Sequence, residues 1–468
     1  MAEALTPTAV LSSGAPRLGR SGLPPAVIEL CQGLRAAGHG SWIVGGSVRD
    51  SLLAQLRGDA MPLVWRAKDW DLATDATPEQ VMQLFRRVIP TGIEHGTVTV
   101  LLGDEALEVT TLRADREYRD GRRPEQIDFV RSIEEDLARR DFTVNAIAFD
   151  LETEQLIDPF GGIADLLGQK LRAVGEASRR FAEDGLRVLR AARFVASLEF
   201  ELEAETARAI TPSLESYRCV SAERIRDEWN KTLVARAPSR GFRVMQQHGL
   251  LAITVPEVDA LARTRALPDG ERGSADAFSL ACSRIDGCPP SVELRIAALL
   301  LDIHPEAERA AELADQRLAA LRYSNGERKW ITRLIRQRVP RLVPPPTDPE
   351  LRRWLRRAGP DLYRDVCSLA RADVCARVAL GSAPPEALEG ELYALDSFRE
   401  RAQGELAKQP ALTVSALAID GKQLMAEAGY RPGRQLGNAL EALLEQVLED
   451  PTLNTTEQLL ERARALAH

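Results

Sequence analysis

Trp42-Ile43-Val44-Gly45-Gly46-Ser47-Val48-Arg49-Asp50, followed by Lys68-Asp69-Trp70-Asp71-Leu72-Ala73-Thr74, decides the fold. A short apolar run meets a glycine pair, and a segment suited to a helix start follows. A second strand then carries Asp-x-Asp. Alternate side chains of a strand share a face, so Asp69 and Asp71 are expected to point the same way. Two carboxylates side by side repel unless a cation sits between them. Mg²⁺ takes oxygen ligands and keeps positions open for phosphate oxygens. The glycine pair lets backbone N–H groups approach a phosphate, and the helix N-terminus favours negative charge. Taken singly, Asp-x-Asp is usually a solvated strand end and Gly-Gly a turn. Taken in this order, they imply a nucleoside triphosphate held over a metal.

The length of 468 residues suggests about three domains. A formal charge of −8 argues mildly against general, non-specific nucleic-acid binding. A local basic stripe is still available from the arginines of Arg113–Arg123, Arg139-Arg140, Arg179-Arg180 and Arg187–Arg193. Arg352-Arg353 and Arg356-Arg357 are expected to be solvated helix faces. Six scattered cysteines form no Cys-x-x-Cys and no zinc spacing, which fits free, mostly buried thiols in a reducing cytosol. No apolar run reaches membrane-spanning length. Met1–Pro24 lacks the apolar centre of a signal peptide and reads as a disordered tail, with an organellar transit peptide as the alternative.

The spacing predicts a helix over Ala26–Gly38. Val98–Leu102 and Leu107–Leu112 are β-rich and joined by Gly103-Asp104-Glu105-Ala106, a hairpin pattern. From about Ala164 the periodicity turns helical and stays so, through Leu186–Leu198, Ile225–Val234 and Arg295–Leu301. Val343-Pro344-Pro345-Pro346-Thr347-Asp348-Pro349 marks a break, and Gly429-Tyr430-Arg431-Pro432-Gly433 a turn between helices. The fold class is α+β, a small mixed sheet domain followed by a long helical region.

Further motifs follow in order. They are Arg139-Arg140-Asp141-Phe142-Thr143-Val144-Asn145-Ala146, then Asp158-Pro159-Phe160-Gly161-Gly162, then Glu183-Asp184-Gly185-Leu186-Arg187-Val188-Leu189-Arg190-Ala191-Ala192-Arg193-Phe194. With these, the chain resembles the bacterial-type tRNA nucleotidyltransferases, the CCA-adding enzymes, and their relatives the bacterial poly(A) polymerases. The resemblance runs from about Leu23 to the C-terminus. It implies a polymerase-beta-like nucleotidyltransferase head over 25–165 and a helical neck over 166–250. A helical body over 251–345 and a tRNA-binding tail over 346–468 complete the implied order.

The reaction implied is attack of an RNA 3′-hydroxyl on the α-phosphate of CTP or ATP, with pyrophosphate leaving. The implied partners are tRNA, CTP and ATP, with no membrane and no obligate protein partner. Asp69 and Asp71 would be catalytic and hold Mg²⁺ in a two-metal arrangement. Glu108 is the candidate third carboxylate, since it alternates with Leu107 and Val109; a solvated strand residue is the other reading. Gly46, Arg49 and Arg140 look like the family's triphosphate contacts, and the resemblance implies that Asp141 and Asn145 would bond a ribose hydroxyl, which spacing alone does not show.

Asp184 and Arg187 carry an argument of their own. Cytosine and adenine both show an amino donor beside a ring-nitrogen acceptor, which an Asp acceptor beside an Arg donor complements. As i and i+3 residues of a helix they are expected to act jointly; a simple helix ion pair is the other reading. Arg190 and Arg193 continue at three-residue steps, each turning about 60° back round the helix. Arg193 is therefore expected at the triphosphate or against the head. The charged segment Arg113–Pro124 resembles the family loop that acts at the switch from C to A.

Two features depart from the family pattern. Gln55–Ala67 looks lengthened and is expected as a surface excursion, and Gly185 stands where proline or alanine is commoner. The chain has no His-Asp dipeptide, so the phosphohydrolase activity of some relatives is not expected. An A-adding enzyme, a poly(A) polymerase and a non-catalytic RNA-binding protein are the rival readings. The balanced charge of Thr455–His468 and the intact Asp pair argue against the last two.

Overall fold

The computed structural model describes residues 16–58, 65, 69–115, 127–130, 132–264, 275–338, 346–381 and 384–466. Most of the Arg113–Pro124 segment, and 59–64 and 66–68 of the lengthened link, lie outside the described residues.

The head is built on β1 (Ser41–Val44), β2 (Asp71–Thr74), β3 (Val88–Gly92), β4 (Thr97–Leu102), β5 (Glu105–Thr111), β6 (Arg113–Asp115), β7 (Ile127–Phe129), β8 (Ala148–Asp150) and β9 (Gln155–Ile157). Seven of these form one mixed sheet in the order β3-β4-β5-β2-β1-β8-β9, while β6 and β7 pair with each other. Its helices are α1 (Pro25–Ala36), α2 (Gly46–Leu56), α3 (Pro78–Leu84), α4 (Ile133–Ala138) and α5 (Gly162–Leu167). In α1 the apolar positions Val27, Leu30, Cys31 and Leu34 recur at helical spacing and are all buried. Val98, Val100, Leu107 and Val109 alternate with polar residues on β4 and β5, so one sheet face is core and the other is open. The hairpin turn is tighter than expected, because Leu102 already pairs with Glu105. A two-residue Gly103-Asp104 turn results, with Gly103 at φ +59.

The helical region starts with α6 (Ala177–Glu183), α7 (Leu186–Leu198), α8 (Ala204–Ile210), α9 (Leu214–Arg218), α10 (Ala222–Leu233), α11 (Pro238–Gln247) and α12 (Leu250–Thr254). It continues with α13 (Pro256–Leu261), α14 (Ala277–Gly287), α15 (Val292–Leu300), α16 (Ala307–Ala320), α17 (Asn325–Gln337), α18 (Asp348–Ala358), α19 (Tyr363–Ala379), α20 (Pro385–Ala407), α21 (Gly421–Glu427), α22 (Arg434–Glu449) and α23 (Thr456–Leu466). It is not wholly helical. β10 (Lys170–Leu171) and β11 (Glu201–Leu202) pair in parallel, a link that helical periodicity cannot signal. Pro349 does not break a helix; it sits in the first turn of α18, where its missing N–H costs nothing. The contacts divide the chain into two compact units, one of residues up to Thr232 with Arg240–Ile253, the other of Leu233–Ser239 with the residues from Thr254.

Two surface expectations are corrected. Within the lengthened link, Trp65 is buried, packs edge-on against Phe149 and donates from Nε1 to the Gly19 carbonyl at 2.9 Å. An indole needs both an apolar seat and an acceptor, and it finds them here. Arg352 is also buried rather than solvated. It donates to the Leu448 and Glu449 carbonyls at 2.6 and 3.0 Å, and to Glu405 at 3.1 Å. It thus satisfies the last carbonyls of α22. Arg353 and Arg356 pair with Glu445 on the same helix. Among the described residues no helix is long and apolar enough to cross a membrane.

Candidate active site

Gly45 ends β1 at φ +71 and α2 starts at the next residue. A side chain there would be strained by that backbone. Its Cβ would also lie 3.0 Å from Arg140 Nη1 and 3.5 Å from Asp71 Oδ2. The turn, the arginine and the carboxylate thus converge on one point. Arg140 is steadied by Asp136, whose Oδ2 accepts from Arg140 Nη2 at 3.2 Å. Asp136 is buried and also accepts from Arg139 Nε at 2.8 Å. Arg140 Nε is buried without a hydrogen-bond partner among the described residues, a donor left over at a site suited to phosphate.

Asp71 opens β2, whereas Asp69 lies just before it, in a bend. The strand thus starts later than expected and Asp69 is outside the ladder, yet its charge still acts on Asp71 and Glu108. Across the sheet, Asp71 stands in register with Glu108 of β5. Partners in register share a face. Burial pushes the Asp71 carboxyl above its usual range and Asp69 adds to this, against the pull of Arg140 and Arg49. Glu108 is raised by partial desolvation and by the charges of Asp71 and Asp69. Crowded hard oxygens of like charge fit a divalent cation. Among the described residues no three such side chains form a preformed cage.

A second layer of arginines stands on the β1 side of Asp71. Arg49 donates to Asn145 Oδ1 at 2.6 Å and to Asp50 at 2.8 Å. Its guanidinium lies 5.1 Å from the Phe194 ring, with Arg190 at 5.4 Å and Arg193 at 4.0 Å from the same ring. Arg193 is lowered to about 10, chiefly by burial and by the Arg190 charge beside it. Cations crowded this closely favour an anionic ligand.

The protein supplies counter-charges that sequence reasoning missed. Glu228 of α10 is buried and lies 3.2 Å from Arg193 Nε, 3.8 Å from Arg190 and 3.3 Å from Lys231. Its Oε2 has charge contact but no aligned hydrogen bond. Asp141 is also buried; it accepts from Arg190 Nε at 2.7 Å, Asn145 Nδ2 at 3.0 Å and its neighbour Phe142 N at 2.8 Å. Burial alone would raise Asp141, but Arg190, Asn145 and the Phe142 N–H hold it well below the usual range. In this structure Asp141 and Asn145 bond each other and two arginines.

A depressed carboxylate contributes stability above its unfolded value, and that contribution fades as pH falls. The difference in urea midpoint between the native chain and Asp141→Asn is expected to be widest above about pH 5. It should close as the pH drops below the ordinary aspartate value of about 3.9. A gap unchanged between neutral and acid solution would mean that the Asp141 charge adds nothing.

Asp184 and Arg187 are not helix neighbours. α6 ends at Glu183 and α7 begins at Leu186, with Asp184 extended between them. Asp184 Oδ1 accepts from Leu186 N at 3.0 Å, and Oδ2 from Arg224 Nη2 at 2.7 Å. Arg187 donates to Glu183 at 2.7 Å and to the carbonyls of Arg180 and Arg139 at 2.9 and 3.0 Å. The break explains Gly185: a Cβ there would lie 2.2 Å from the Ser216 carbonyl oxygen of α9. Backbone that close leaves room only for hydrogen. Arg224 and Glu228 lie four residues apart on α10, a one-face spacing visible in the sequence, but nothing local says what they meet.

Residues 41–172 match the family model of the Poly A polymerase head domain. Residues 199–261 match the model described as an RNA and SrmB binding site of polymerase A, and 397–463 that of tRNA nucleotidyltransferase domain 2. The head and its carboxylates therefore define a nucleotidyltransferase of the polymerase A type. A CCA-adding enzyme of Latilactobacillus sakei is 34% identical over 441 residues, 93% of this chain and 97% of that protein. The CCA-adding enzyme of Lactobacillus johnsonii is 43% identical over 225 residues, 48% of this chain; here the chain spans about half, 54%, of its relative's length. Among solved structures, the Bacillus stearothermophilus CCA-adding enzyme in complex with CTP aligns at a TM-score of 0.68 and 30% identity, covering 95% of this chain and 99% of that one. The chain belongs to the CCA-adding family of tRNA nucleotidyltransferases. Enzymes of this family depend on a metal ion.

Proposed function

We propose that the chain adds C and A to the 3′ end of tRNA from CTP and ATP, without a nucleic-acid template. The observation that carries this reading is the convergence of Gly45, Arg140 and Asp71 on one point. A triphosphate laid along the α2 N-terminus would meet Gly46, Arg49, Arg140, Arg190 and Arg193. Asp69 and Asp71 would hold Mg²⁺, with Glu108 as the third carboxylate beside them. Bound there, the ion would supply Lewis-acid stabilisation of the attacking and leaving oxygens. The 3′-hydroxyl loses its proton, its oxygen bonds to the α-phosphorus, and the bond to pyrophosphate breaks. The tail over 346–468 is assigned to tRNA, in keeping with the matched segment 397–463. A cytoplasmic setting is supported by six free thiols, four of them buried. Purified chain given tRNAs ending before the tail, after C and after CC, with labelled CTP and ATP, tests this reading. Three C and A additions to the first tRNA support it; A alone on the last would mark an A-adding enzyme, and long A tracts a poly(A) polymerase.

Base choice is assigned to Asp184 and Arg187. Asp184 is 26% exposed at its side chain, and its carboxylate must exchange part of its bonding to Leu186 N or Arg224 to meet an incoming base edge. Arg187 must exchange part of its bonding to Glu183 to join it. Asp184→Ala is expected to raise UTP and GTP incorporation relative to CTP by about tenfold or more, the scale of one lost pairing contact. Unchanged rejection of UTP and GTP would remove Asp184 from base reading.

A further inference from the structure

The open face of the sheet continues past the carboxylates in a row that the reaction as described does not use. Asp71 of β2 is in register with Glu108 of β5, Glu108 with Thr99 of β4, and Thr99 with Ile89 of β3. These four side chains lie side by side on one face, about 4.8 Å apart from strand to strand. Thr99 Oγ1 is 3.1 Å from Thr91 Oγ1, and in the next row Thr97 Oγ1 is 3.1 Å from Thr110 Oγ1. Ile89 closes the row at the sheet edge, 46% exposed. Carboxylate, hydroxyl and exposed aliphatic surface therefore follow one another in one line.

The arrangement has a direction. Gly45, Arg140 and the arginines around Phe194 all stand on the β1 side of Asp71. The threonines stand on the other side, over β5 and β4. Displacement at phosphorus is in line, so a nucleotide whose triphosphate lies on the β1 side must be approached from the opposite side. The attacking 3′-oxygen belongs to a ribose that also carries a 2′-hydroxyl. A hydroxyl donor and acceptor one strand beyond Glu108 is within reach of that group, and Ile89 offers an apolar surface to the base attached to it.

We propose that Thr99, held by Thr91, positions the terminal ribose of the RNA primer through its 2′-hydroxyl, and that the β4–β3 face is the primer subsite. This inference rests on the nucleotidyl transfer proposed above. It makes Thr99 a positioning residue with no part in holding the triphosphate.

The test is steady-state C addition by the full chain with a tRNA lacking its tail, varying tRNA and CTP separately. Thr99→Val keeps the β-branched shape and removes only the hydroxyl. It is expected to raise KM for tRNA by roughly 3- to 10-fold, the effect of one hydrogen bond, and to leave KM for CTP unchanged. Thr99→Ser should restore the native KM. A tRNA ending in a 2′-deoxynucleotide should be used equally by the native chain and by Thr99→Val, because the contact is already absent. A native KM for tRNA in Thr99→Val, or an equal penalty on both primers, would overturn the proposal while leaving the transfer reading intact. A rise in KM for CTP alone would place Thr99 on the nucleotide side instead. No transfer by the native chain would overturn both readings.

Discussion

Asp71→Asn is expected to lower nucleotide addition by at least about 10³-fold, since a lost ligand at such a centre removes several kcal/mol of transition-state stabilisation. The change keeps the size of the side chain and takes away one charge. Asp71 has neither a hydrogen bond nor an ion pair among the described residues that would explain a carboxylate there on structural grounds; burial, with Asp69 adding to it, raises the carboxyl by more than Arg140 and Arg49 lower it. The folded state thus tolerates this charge and gains nothing from it without a cation. The variant should therefore fold with unchanged circular dichroism and thermal midpoint, or a raised midpoint, while primer extension stops. Asp69→Asn should behave alike in the extension assay. Turnover within a few-fold of native for either variant would end the metal assignment. Loss of turnover together with a fall in midpoint would instead mark a structural carboxylate.

The parts of the site that could be read from the sequence are those whose signal is local. Gly45-Gly46 after an apolar run forces a turn, and alternation around Glu108 puts it opposite Leu107 and Val109; both are statements about neighbours in the chain. The head sheet, the α7 span and the turn before α22 were legible for the same reason. What stayed hidden depends on partners far apart. Asp141 meets Arg190 across 49 residues, and Glu228 meets Arg193 across 35. Neither spacing has a period that a helix or strand would betray. Arg352 was misread because an Arg-Arg run looks alike whether it faces water or caps a helix that begins more than 80 residues later. The Asp184–Arg187 relation failed differently. The helix was expected to run through Gly185, and tertiary contact with α9 broke it there.

Arg190→Met should destabilise the fold by about 3 to 5 kcal/mol, because it leaves the Asp141 charge buried without its principal cation. Asp141 cannot escape by turning to solvent: it is 6% exposed and already bonded to Asn145 and to Phe142 N. Those two neutral donors soften the loss but do not replace a guanidinium. Asp141→Asn combined with Arg190→Met removes both charges and should recover most of the stability, so the two substitutions are strongly non-additive. Denaturant unfolding of the native chain, both single variants and the double variant closes the cycle. The same four proteins separate the structural part of Arg190 from any part in holding the triphosphate. Arg190 is 31% exposed at its side chain and stands 5.4 Å from the Phe194 ring shared with Arg49 and Arg193, so one edge remains free to meet a phosphate. If it does, the double variant regains its midpoint but keeps a raised KM for CTP. If the double variant recovers both, Arg190 serves only to neutralise Asp141 and fasten α7 to the head. A single variant as stable as the native chain would contradict the buried pair itself, since no other cation in the described structure donates to Asp141.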